Sequence, residues 1–90
     1  MMRLVSDFDI CVSIGDYYFH ENDTHITIRY GTKFEHVVTL PINSKNGWTW
    51  NGDKKKPTLQ PSILVKTNSP EEYPNENVHF FVRDGRIVPA

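Results

Sequence analysis

The sequence predicts a small all-β domain, built as an antiparallel β-sandwich or partly open barrel. Three observations predict it. Apolar and polar residues alternate in short runs, and apolar residues never recur at three-and-four spacing over a helical length. Turn formers punctuate those runs, among them Gly15-Asp16, Gly31, Asn46-Gly47, Asn51-Gly52 and Asp84-Gly85. The chain has 90 residues, 38% hydrophobic and 12% aromatic. That composition is globular and sized for one domain, residues 1–90, burying roughly 64% of its unfolded surface.

The elements follow in order. Phe8, Ile10, Val12 and Ile14 alternate with Asp9, Cys11 and Ser13, which predicts a half-buried first strand with Cys11 on its polar face. The short Gly15-Asp16 link predicts an antiparallel hairpin with an aromatic strand over residues 16–20. A polar turn at Glu21-Asn22-Asp23 leads to a third strand over 24–30. Ile26, Ile28 and Tyr30 should face inward, with His25, Thr27 and Arg29 outward. After Gly31-Thr32-Lys33 a fourth strand spans 34–40, and Pro41 should end it, because proline cannot donate to a ladder. These four strands form a meander. A short extended piece over 48–51 and a strand over 62–67 come next. Pro57 and Pro61 restrict the residues before them, so 58–60 should be extended. Residues 68–77 read as a polar, acidic loop. Residues 78–83 form an apolar strand, and Asp84-Gly85 is a strong hairpin turn signal returning the chain through 86–88. No internal repeat is present.

Ten basic and eleven acidic residues give a net charge of −1. Such a balance is not that of a general nucleic-acid binder or of an acidic nucleic-acid mimic. The single cysteine, Cys11, excludes an internal disulfide and a four-cysteine zinc site. No signal region and no membrane-length apolar run is present. The expected setting is a reducing cytoplasm, without membrane partners or cofactors.

The unusual chemistry is concentrated in Trp48-Thr-Trp-Asn-Gly-Asp-Lys-Lys-Lys-Pro57 and the Thr-Leu-Gln-Pro-Ser-Ile that follows. Together with His79-Phe-Phe-Val-Arg-Asp-Gly-Arg-Ile87, this pattern resembles a small family of phage and prophage proteins without an established function, some of which carry an ammonia monooxygenase label. The resemblance covers about half of the chain. It implies a phage origin, a bacterial host cytoplasm and a shared β-scaffold. Family members carry a cysteine cluster before the Leu-Pro-Ile step, where this chain has Arg29-Tyr-Gly-Thr-Lys33, and a cysteine where this chain has Val78. The resemblance implies that, if those cysteines build a metal site in relatives, most of that site is absent from this chain.

Several constellations are candidates for chemistry. Lys54, Lys55 and Lys56 beside Trp48 and Trp50 match a platform that stacks a base and meets phosphate. Asp53 belongs to the same loop, and Arg83 and Arg86 would extend a basic patch if the two loops lie together. The plainer alternative is a solvated loop tip beside core tryptophans. His36 and His79 are the candidate metal ligands, without the spacing of a known site. Cys11 beside Asp9 lacks the surroundings of a reactive thiolate. Asp7, Asp9 and Asp16 read as turn and edge residues rather than cation ligands.

The resulting expectation is a non-catalytic phage accessory protein that binds a host protein, inhibiting a bacterial defence system. Its contact surface would include Trp50, the lysine loop and Arg83. Two alternatives stay open: a protein that sequesters a small nucleotide, and a metal-dependent enzyme using His36 and His79. A homodimer through sheet edges or the tryptophan face is a further expectation.

Overall fold

Backbone pairing divides the chain into two four-stranded sheets. The computed structural model describes residues 1–66 and 78–90. The acidic loop expected over 68–77 lies outside them. The first sheet contains β1 (Arg3–Leu4), β2 (Asp16–Phe19), β3 (His25–Arg29) and β4 (Val37–Pro41), in that spatial order. The second contains β5 (Thr49–Trp50), β6 (Leu59–Val65), β7 (Val78–Arg83) and β8 (Arg86–Pro89), also in chain order. The strand pairings are antiparallel except β1 with β2, which is parallel, and an isolated parallel bridge joins Ile42 to Trp48. The described helical segments are two three-residue 3-10 turns, and none is long or apolar enough to cross a membrane.

The sheets face each other across one core. Tyr17, Ile26, Ile28 and Leu40 come from the first sheet, and Leu59, Ile63, Phe80 and Val82 from the second. Each fully buried aliphatic or aromatic side chain contributes about 1.5–3 kcal/mol. Trp48, Trp50 and Phe19 pack partly buried against this cluster. The arrangement is the expected all-β sandwich, and neither sheet closes into a barrel.

The N-terminal expectation is corrected. Residues 8–10 form a 3-10 turn, and Ile10, Val12 and Ile14 are exposed while Cys11 is fully buried. Alternation is a real feature of this stretch, but its apolar face is not the inward one. The predicted hairpin between this segment and the aromatic strand is replaced by the parallel pairing of Arg3–Leu4 with β2. Asp16 organises the swap. Its carboxylate accepts from Arg3 Nε and Nη2 (3.0 and 2.7 Å) and from the backbone N–H groups of Val12 and Ser13 (3.1 and 2.9 Å). The Arg3 hydrogen bonds hold the carboxyl below its ordinary range, helped by the two N–H groups and opposed by burial. Burial pushes the Cys11 thiol up.

Part of the outer face of the first sheet is also buried. Thr27 and Arg29, expected outward, are 1% and 5% exposed. Arg29 reaches the loops that cover it, donating from Nε to Cys11 O (2.6 Å) and from Nη1 to Lys33 O (2.7 Å). Phe8 and Phe34 meet edge to face at 5.7 Å between those loops. The strand expected from Phe34 therefore starts three residues later, and Pro41 is inside it, paired with His25 at a strand end.

The C-terminal half follows the sequence more closely. Strand β7 has the predicted bounds. Asp84 and Gly85 have φ of 49° and 71°, as a type I′ turn requires. A Cβ on Gly85 would also come within 3.1 Å of Lys56 Cα.

Candidate active site on the outer face of the second sheet

Strand β6 does not run evenly along β7. Leu59 pairs with Val82 and Ile63 with Phe80. Three residues, Gln60, Pro61 and Ser62, thus stand opposite one, Phe81. The interruption is a bulge, the place where a proline can sit inside a sheet without breaking a ladder bond. The Gln60–Pro61 peptide is cis. Ile63 is buried, so alternation puts its neighbour Ser62 on the outer face, together with His79, Phe81 and Arg83 of β7.

There the two strands bring a nucleophile to a base. Ser62 Oγ lies 2.8 Å from His79 Nε2, within hydrogen-bond reach. With Nε2 as acceptor, the hydroxyl donates to the ring, as a serine activated by a general base must. Among the described residues no carboxylate is bonded to His79, so the pair is a dyad there. The Phe81 ring is 6.4 Å from the imidazole, and the Arg83 guanidinium lies 4.1 Å over the Phe81 ring. A cleft of about 540 Å³ opens beside Ser62, walled by Thr49, Gln60, Pro61, Phe81 and Arg83. That volume is of the size that holds a ligand or a peptide segment. Leu64, 52% exposed, pairs with His79 on the same face.

The residues expected to form a site are placed as follows. Trp50 packs on Phe19 (4.8 Å) and donates from Nε1 to Asp53 O (3.2 Å). Trp48 is half-buried against the core, and its buried Nε1 has no hydrogen-bond partner. Asp53 Oδ1 accepts from the backbone N–H groups of Lys55 and Lys56 (2.9 and 3.1 Å), which holds its carboxyl below the ordinary range. Lys54 pairs with Asp23 at 2.9 Å and lies 5.4 Å over the Phe19 ring. Tyr17 Oη donates to the carbonyls of Lys54 and Lys55. Asn51 bridges the loop, accepting from Asp53 N and Thr58 N (3.2 and 3.1 Å) and donating to Lys56 O (3.2 Å). The Lys55 and Lys56 side chains stay exposed.

This loop does lie against the β7–β8 turn. Gly85 N donates to Pro57 O (2.9 Å), and Asp84 N donates to Thr58 Oγ1 (3.0 Å). It therefore fixes the end of the hairpin that carries Arg83 and Arg86. His36 precedes β4, stacked on Tyr30 at 5.4 Å, while His79 is on β7 of the other sheet. Among the described residues no group of three or more His, Cys, Asp or Glu is placed to hold a metal ion.

A family model described as bacterial ubiquitination-like system serine protease (BubE) matches residues 29–90. The chain belongs to this family. No curated protein and no solved structure matches it. The family overturns the expectation of a non-catalytic protein. That expectation rested on finding no nucleophile with a base, because Ser62 and His79 are separated by 17 positions and meet only through the pairing of β6 with β7.

Proposed function

We propose that this chain is a serine peptidase acting in a bacterial ubiquitination-like system, with Ser62 as nucleophile and His79 as general base. The observation that carries the reading is the 2.8 Å contact between Ser62 Oγ and His79 Nε2, in a chain whose family is described as serine proteases. Ser62 Oγ attacks the substrate carbonyl, and its proton passes to His79 Nε2. The protonated imidazole then gives that proton to the leaving amine as the carbonyl–nitrogen bond breaks. Water, deprotonated by His79, releases the acyl group and restores the serine. The cleft beside Ser62 holds the chain being cut.

The expected host target has a natural place in this scheme. A bound host protein and a substrate are the same molecule here, so recognition of a bacterial component and catalysis are one proposal. The test is cleavage of a fusion in which a bacterial ubiquitin-like protein is followed by a reporter peptide. The reporter is released by the wild-type chain and not by Ser62→Ala. Equal release by both chains, or none by either, overturns the reading.

A further inference from the structure

The cleft beside Ser62 ends in an arginine with an unusual setting. Arg83 is exposed, and its guanidinium lies over the Phe81 ring at 4.1 Å. The ring contact holds the group in place, and among the described residues no acceptor takes its N–H donors, of which a guanidinium carries five around its rim. No carboxylate among the described residues forms an ion pair with it; the described ion pairs involve Arg3 with Asp16 and Lys54 with Asp23. Across the ladder its direct partner is Arg86. Like charges placed opposite each other weaken a sheet, and among the described residues no acid compensates this pair either. An ordinary surface arginine would sit better beside Glu or Thr. Here a cation held against an aromatic ring lines the open cleft that also contains the serine, while Arg86 lines a separate cavity with Met1, Met2 and Ile14.

Position completes the argument. Phe81 is the residue opposite the bulge that contains Ser62. Arg83 is two residues further along β7, about 7 Å at the rise of a strand, and its head folds back over Phe81. A substrate lying extended along this face would place a group one or two residues from its scissile bond against the guanidinium. We infer that Arg83 forms an anion subsite that selects substrates bearing a carboxylate within two residues of the bond cut at Ser62. The carboxylate is an acidic side chain or the C-terminus of the substrate itself, since both offer the paired oxygens that a guanidinium edge fits.

This inference rests on the hydrolase reading, and the experiment separates the two. A fluorophosphonate probe applied to the wild-type chain reads the serine; absence of the adduct sinks the hydrolase reading. Binding of matched peptides to the Ser62→Ala chain, by calorimetry, reads the subsite whether or not the peptides are turned over. The set carries Glu, Gln or Lys near the reacting carbonyl, each with a free or an amidated C-terminus. The Glu peptides, or all peptides with a free C-terminus, should bind about tenfold or more tightly than their neutral or amidated counterparts, one charge-assisted pair being of that order. Which of the two series shows the difference tells a side-chain acid from a terminal one. Adding Arg83→Glu, with folding checked by thermal melting, should reverse the preference toward Lys peptides. Equal binding of all six peptides, or a preference unchanged by Arg83→Glu, overturns the subsite.

Discussion

The two outer faces of the sandwich are built from similar strands and end in opposite states. On the first sheet, loops fold over the outer face until Thr27 and Arg29 are buried, and each polar group there is spent on a neighbour. Thr27 Oγ1 meets both His20 Nε2 and Thr39 Oγ1 at 2.7 Å, and Arg29 caps two loop carbonyls. On the second sheet Gln60, His79 and Arg83 are exposed, with Ser62 and Phe81 half-buried between them. The lesson is that polar side chains on a strand do not mark a site by themselves. What distinguishes the second face is a pair of groups that are matched chemically and left facing a cleft.

That contrast can be broken by substitution. The largest effect should come from the open face. Ser62→Ala should lower peptidase activity by about three orders of magnitude or more, and His79→Gln by about 10²–10⁴-fold. Thermal melting should barely move in either, because a half-exposed hydrogen bond contributes only about 1 kcal/mol. Initial rates alongside melting curves check both halves of the statement.

On the covered face the order reverses. Arg29→Ala should cost about 2–4 kcal/mol, since it empties a buried site and strands the carbonyls of Cys11 and Lys33. Activity per folded molecule should persist in chemical-denaturation samples kept below the unfolding midpoint. Asn51→Ala should have a smaller effect of the same kind, about 1–3 kcal/mol, from losing the bonds to Asp53, Thr58 and Lys56. The distinctive Asn-Gly-Asp-Lys loop is thus expected to register in stability before catalysis.

The smallest and most conditional effect is that of pH. The Asp16 carboxyl is depressed in the folded chain, first by the Arg3 hydrogen bonds and then by the N–H groups of Ser13 and Val12. A depressed carboxyl stabilises the fold above its unfolded value, near 3.9, and that contribution fades as pH falls through the folded value. Melting temperature should therefore drop on acidification from about pH 4 downward. Asp16→Asn should be less stable at neutral pH and show a flatter acid limb, measured by melting curves across pH.

The fold was legible wherever local pattern and tertiary environment agree. The strand from Val78 to Arg83 alternates a buried face with an exposed one and ends in Asp84-Gly85, so period and turn chemistry both identify it. The segment from Phe8 to Ile14 alternates equally well, yet it folds as a 3-10 turn and loop because Asp16 captures Arg3 and the N–H groups of Val12 and Ser13. Nothing local to residues 8–14 announces that capture. Arg29 was read as outward because alternation knows only one sheet, and a covering loop is invisible to it. The dyad was harder still. Ser62 and His79 share no motif, and they meet only through the pairing of two strands whose register the sequence does not print. The signal present was Pro61 inside an otherwise strand-like run, which announces an irregularity in the ladder.

Labelling of the serine tests the central claim most directly. The purified chain, treated with a fluorophosphonate and digested for mass mapping, should carry one adduct, on Ser62. His79→Gln should slow its formation, and Ser62→Ala should abolish it. An unlabelled chain, or an adduct on another serine that survives Ser62→Ala, would contradict the account.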